Sequence, residues 1–305
     1  MSGKYQDAMA ICKEFGKPTY FITFTANPSW KEITDSLLPG QNASDRPDIV
    51  SRVFHLKLKL LMKVLNDGLL GKSVAFCSTI EFQKRGLPHV HILFITEAAY
   101  TPRTPEAVDD VISAEFLDSD DSELLDIIGT SMVHGPCGAA YPHARCMVDG
   151  KCSKGYPKQF SETTIVGNES YSSYKRRNNG RIFVKNGFTY DNRWVVPHNP
   201  DLLMLFKSHL NVECVSSVKA IKYIYKYAYK GPDRATVEMG EVDEIKQYLD
   251  CRYIGSSEAA WRILGFSMHD KSHSVEMMPV HLENMHMVFF RENQDLNSLR
   301  DSEKR

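Results

Sequence analysis

Apolar residues fall at helical spacing in some stretches of this chain and at every second position in others. "RPDIVSRVFHLKLKLLMKVLNDG" repeats them at intervals of three and four, which predicts a long amphipathic helix over 47–66. "YQDAMAICKEFG" has the same spacing, with Gly16 as its stop. "TYFITFTANPSW" predicts a strand over 19–25, broken at Asn27-Pro28. "KSVAFCSTIEFQKRGLPHVHILFIT" predicts two strands about the polar break "KRGLP", a hairpin whose loop runs from Lys84 to Pro88. Two short acidic helices are expected within 104–132, an irregular Cys/His segment over 134–158, and short strands over 162–197 with turns at Asn178-Asn179-Gly180 and Asn186-Gly187. Helices are expected over 201–210, 217–230, 241–249 and 257–264, the last with Ser257 as N-cap. This order implies an α+β fold, a central antiparallel β-sheet covered by helices.

Composition changes the picture little. Hydrophobic content of 42% and charged content of 25% are those of a soluble globular chain of 305 residues, long enough for one large domain or two. A net charge of -1 excludes a globally basic nucleic-acid binder, so any anion-binding surface must be local. Seven cysteines without a regular framework point to a reducing compartment. No run approaches the roughly 18 apolar residues of a membrane span, and the N-terminus lacks a secretory signal. "NDGLLGKSV" ends like a phosphate-binding loop, but Asn66 stands where that loop needs glycine, and the stretch follows a helix rather than a strand. An ATPase site is rejected there.

Two constellations carry chemistry on the residues alone. His89 and His91, two apart in a β-forming run, leave the same face of a strand while Val90 and Ile92 point to the core. With the loop at 84–88, Gln83 would sit opposite His89 and Glu81 opposite His91, and either could complete a site of two imidazoles and one oxygen. Such a mixed set with open positions suits Mg²⁺ or Mn²⁺. His134, Cys137, Cys146 and Cys152 follow H-x2-C-x8-C-x5-C, with His143 also available, and suit a structural tetrahedral Zn²⁺. Lys151, Lys154 and Lys158 would let that loop touch phosphates. Later histidines, His269, His273, His281 and His286, read as surface.

"AIKYIYKYAYKGPDRA" reads as a helix closed by Gly231-Pro232, because a strand would mix charge with apolar groups on both faces. Tyr225 and Tyr229 then pack inward, while Tyr223 and Tyr227, four apart, line a face flanked by Lys219, Lys226 and Lys230.

"HVH" on a strand with two tyrosines four apart downstream resembles the HUH endonuclease class. Together "YFITFTANPSW", "EFQKRGLPHVHIL", "HGPCG…CMVDGKCSKGYPK" and "KYIYKYAYKGPDR" are similar, in that order, to the Rep nuclease domain of Helitron rolling-circle transposases. The similarity runs from "YQDAMAICKEFG" to "AAWRILGF". It implies an HUH Rep-like fold with an inserted Cys/His zinc-binding segment. On this reading 1–130 is the first part of the nuclease domain, 131–197 the insert, 198–290 the part with the tyrosine helix, and 291–305 a linker or tail. It implies His89, His91 and Gln83 as metal ligands, with Glu81 the substitute for Gln83, and Tyr223 and Tyr227 as nucleophiles. Thr23, Thr25, Asn27, Arg85, Lys219, Lys226 and Lys230 would contact DNA. The implied activity is nicking and rejoining of single-stranded DNA through a 5′-phosphotyrosine link, in a nuclear protein whose full chain carries a helicase domain. The other readings are a single-stranded DNA-binding module without cleavage and a viral or plasmid replication initiator.

Overall fold

Pro47 opens the longest helix among the described residues, where its fixed φ suits the first turn and its missing N–H costs nothing. The structure is a computed structural model and describes residues 3–82, 86–117, 122–167, 171–215 and 254–276. The helix, α3 (Pro47–Asn66), has the bounds expected from its periodicity. It follows α1 (Gly3–Phe15), β1 (Tyr20–Thr25) and the single turn α2 (Lys31–Thr34). β2 (Ser73–Phe82) and β3 (Pro88–Thr96) form the expected hairpin, and α4 (Pro105–Asp109) and α5 (Ser122–Ser131) the two short acidic helices. Two-residue strands β4 (Met147–Val148) and β5 (Lys151–Cys152) pair within the Cys/His segment. β6 (Phe183–Lys185) and β7 (Phe188–Tyr190) form a hairpin at Asn186-Gly187, whose φ values of 51° and 75° are those of a tight primed turn.

Two expected helices are corrected downstream, and two strands are added. The helix placed over 201–210 is α6 (Pro200–Phe206), capped by Asn199, whose side chain accepts from Leu202 N. Lys207 turns left-handed (φ 45°) and the chain enters β8 (Leu210–Cys214), a strand not expected from the sequence. α7 (Ser256–Ile263) begins after Gly255, not Ser257, and a further strand, β9 (His269–Lys271), follows it. The helices expected over 217–230 and 241–249 lie outside the described residues.

The five long-range strands make one antiparallel sheet in the order β8-β1-β3-β2-β9. Side-chain alternation gives it two different faces. On one, Tyr20, Ile22, Phe24, Val90, Ile92, Phe94, Leu210 and Val212 are wholly buried against Phe54, Leu61 and Leu65 of α3 and Trp261 of α7. Phe24 sits between Phe54, Trp30 and Phe206, with ring centroids 5.3–5.8 Å away. Phe24→Ala should therefore cost about 3–5 kcal/mol in chemical denaturation, the range for deleting a buried aromatic ring. The other face carries Thr23, Thr25, His89, His91, Glu81 and Thr79, with α1 packed near Cys77 at its far end.

A second apolar cluster joins α5, α6, β7 and 194–196 to the Cys/His segment, with Cys137 among its buried members. The described residues up to 273 belong to one compact unit. Strands from before and after the 131–197 stretch thus share a sheet. No helix among the described residues is long and apolar enough to cross a membrane.

Candidate metal centres

The hairpin register decides which oxygen meets the histidines. Pro88 does not close the loop but starts β3, pairing with Phe82, a place where its missing N–H is tolerated. The register is therefore displaced by two residues from the expected one. Glu81, not Gln83, stands opposite His89, and Thr79, not Glu81, opposite His91. Gln83 and Arg85 lie outside the described residues.

The geometry that results is convergent. Glu81 Oε2 lies 3.4 Å from His89 Nε2 and 3.6 Å from His91 Nε2. One ligand atom from each of the three residues falls within 4.8 Å of the other two. The imidazoles meet edge to face, centroids 4.9 Å apart, and His91 also stacks on Phe21 at 5.4 Å and 9°. Burial favours the neutral form of the Glu81 carboxyl, but hydrogen bonds with His89 and His91 outweigh it and bring its pKa to about 2. Burial also pushes His91 below its ordinary value, against the pull of Glu81. At neutral pH the pocket thus presents a charged carboxylate beside a neutral imidazole, the protonation states that cation binding requires.

Two buried polar atoms at this site, Glu81 Oε1 and His89 Nδ1, have no hydrogen-bond partner among the described residues. Unmet acceptors beside a carboxylate are costly unless a cation or water satisfies them. The donor set and the orphaned carboxylate oxygen, Glu81 Oε1, both fit a small divalent ion.

Sequence reasoning missed the flanks of the site. The buried residues of β8 are Leu210, Val212 and Cys214, so His209, Asn211 and Glu213 belong to the polar face. His209 O accepts from Thr25 N, in line with the Thr25–His89 pair, and its Nδ1 donates to Ser131 O at 2.9 Å. Reading "HLNVEC" as alternating would have found it. His269, expected on the surface, instead belongs to β9, paired with Thr79, whose hydroxyl lies 3.1 Å from its Nδ1. Thr25 stands beside His89. Asn27 is occupied as a brace, donating to Lys207 O at 2.7 Å and accepting from Ser29 N.

The second group forms from the Cys/His segment as expected. His134, Cys137, Cys146 and Cys152 bring their ligand atoms within 4.8 Å of one another, and His134 Nε2 lies 3.3 Å from Cys152 Sγ. His143 is exposed and takes no part. His134 is fixed by its backbone bond to Trp194 O and by stacking on Tyr156, centroids 4.3 Å apart. Burial and the neighbouring thiols push Cys137 up to about 12, while backbone N–H groups of Tyr156 and Lys154 overcome burial to lower Cys152. Three thiols and an imidazole at this spacing can bind a metal such as zinc.

The β1 strand, the hairpin and its histidines occupy the first third of the chain, and this is where a known family enters. Residues 1–94 match the family model of the Helitron helicase-like domain at N-terminus. No curated protein matches the chain. The match takes in Glu81, His89 and His91 and ends within β3, so the Cys/His group lies beyond it. The match, over less than a third of the chain, suggests a role related to Helitron transposases and agrees with the resemblance carried by its motifs. Tyr223, Tyr227, Lys219, Lys226 and Lys230 lie outside the described residues.

Proposed function

We propose that this chain is the nicking and joining module of a rolling-circle transposase, an HUH-type endonuclease acting on single-stranded DNA. The observation that carries the reading is the convergence of Glu81, His89 and His91 on the polar face of the central strands, inside the family match. Mg²⁺ or Mn²⁺ held by these residues would supply Lewis-acid polarisation of a phosphate oxygen. The third ligand on this reading is Glu81, whose Oε2 lies within 3.6 Å of the Nε2 atoms of both imidazoles.

Tyr223 or Tyr227 then attacks the scissile phosphorus. The new bond joins the phenol oxygen to phosphorus, and the bond to the 3′-oxygen breaks. The phenol loses its proton to solvent or a neighbouring base, and the departing 3′-oxygen takes one up. The ester bond is conserved in the 5′-phosphotyrosine link, so rejoining requires no ATP. A second tyrosine allows one strand to be held while another is cut. The Cys/His group is structural on this reading and takes zinc. A helicase domain in the full protein and a nuclear location accompany the proposal.

The test is covalent capture. Labelled single-stranded DNA incubated with the protein and Mn²⁺ should give a denaturation-resistant adduct, and Tyr223→Phe with Tyr227→Phe should remove it while leaving strand binding within about twofold. An adduct that survives in the double variant overturns the assignment. Strand binding without any adduct in the unaltered protein would favour a binding module that does not cut.

A further inference from the structure

The two imidazoles of the site are not supported alike. His89 is buried, and its Nδ1 has no hydrogen-bond partner among the described residues. His91 Nδ1 lies 3.0 Å from Thr23 Oγ1, and its ring plane lies against Phe21. Thr23 and Phe21 are two apart on β1, hence on one face, and Thr23 is the cross-strand partner of His91. The sheet itself therefore sets this contact, with no loop involved.

A neutral imidazole carries one N–H, and the partner of one nitrogen determines which nitrogen keeps its lone pair. With a cation on Nε2, the ring's one N–H must sit on Nδ1, 3.0 Å from Thr23 Oγ1, which can accept it. Nε2 is the nitrogen lying 3.6 Å from Glu81 Oε2, where a cation would sit. Phe21 lies along the ring plane, and Thr23 offers the acceptor that this tautomer needs. We propose that Thr23 is a positioning residue, which selects the cation-binding tautomer of His91 through its hydroxyl. The proposal rests on the metal-centre reading above. It also gives Thr23 a different task from DNA contact, and it makes His91 the preorganised ligand and His89 the adaptable one.

Outer partners of ligating histidines are typically worth 10–100-fold in metal affinity. Thr23→Val keeps the β-branched shape and removes the hydroxyl, so it should weaken Mn²⁺ binding by about tenfold or more. Thr23→Ser should restore affinity to within about threefold of the unaltered protein. The measurement is free Mn²⁺ by electron paramagnetic resonance during titration of zinc-replete protein, with folding checked by circular dichroism. Thr23→Ala serves in place of valine if that variant does not fold, with the same expectation. Equal Mn²⁺ affinity in Thr23→Val, or a serine variant as weak as valine, overturns the role of the hydroxyl alone. Absence of Mn²⁺ binding in the unaltered protein overturns the metal-centre reading, and this inference with it.

Discussion

Glu81→Gln is expected to reduce metal-dependent nicking of single-stranded DNA by roughly 10²–10³-fold, since Lewis-acid stabilisation supplies several kcal/mol and each 1.36 kcal/mol is a factor of ten. The substitution conserves size and leaves an acceptor near both histidines, so what it removes is the charge. Glu81 is the carboxylate among the three clustered groups, and the imidazoles alone make a weak site for a hard cation. Single-turnover cleavage with Mn²⁺ in excess checks the effect, and retention of most activity would move the third ligand elsewhere. The same variant has a pH signature. Glu81 has a folded pKa of about 2, below the value of about 4.3 for an unfolded carboxyl, so its stabilisation is fully present above that unfolded value and is lost as pH falls toward 2. Acid unfolding of cation-free protein should therefore differ from that of E81Q above about pH 4, and the two should converge as pH falls toward 2.

Cys137→Ser is expected to empty the second group and loosen the half of the molecule built around it. Cys137 is 3% exposed and belongs to the same cluster as Tyr190, Trp194 and Ile128. Loss of the metal would leave three thiols and an imidazole crowded without a cation, in a segment whose regular structure is one two-residue hairpin. Structural zinc contributes directly to folding free energy. A loss of a few kcal/mol corresponds to a fall in Tm of roughly 10 °C for a domain of this size. Zinc content by metal analysis should drop from about one equivalent to below half, and calorimetry should show the shift. An unchanged Tm with no zinc in the unaltered protein would make the cysteines ordinary packing. The two clusters are also linked in the chain: Ser131, three residues before His134, accepts from His209 at the edge of the first site.

Much of this architecture was legible in the sequence where a long amphipathic period acted alone. α3 is the clearest case, because Pro47 and Asp48 mark its start and its apolar stripe has a whole sheet face to cover. The histidine pair was legible for the same reason, since strand alternation fixes its face whatever the register. The register itself was not. Pro88 looks like a loop residue, yet it opens β3, and that moved Glu81 across to His89. β8 was hidden because α6 ends at a left-handed Lys207 without a glycine to announce the stop. β9, "HDK", has no apolar alternation at all, and among the described residues it pairs with β2 alone. Those two strands carry His209 and His269 to the flanks of the site. Their function depends on pairing partners distant in sequence, which local pattern does not encode.

The most direct measurement is a crystal structure of the zinc-replete protein grown with Mn²⁺, with anomalous differences collected to locate manganese. One manganese peak should lie within about 2.3 Å of Glu81, His89 and His91 side-chain atoms, with open positions facing away from the sheet. Three ordered side chains with no manganese between them, or manganese bound by other residues, would contradict the account.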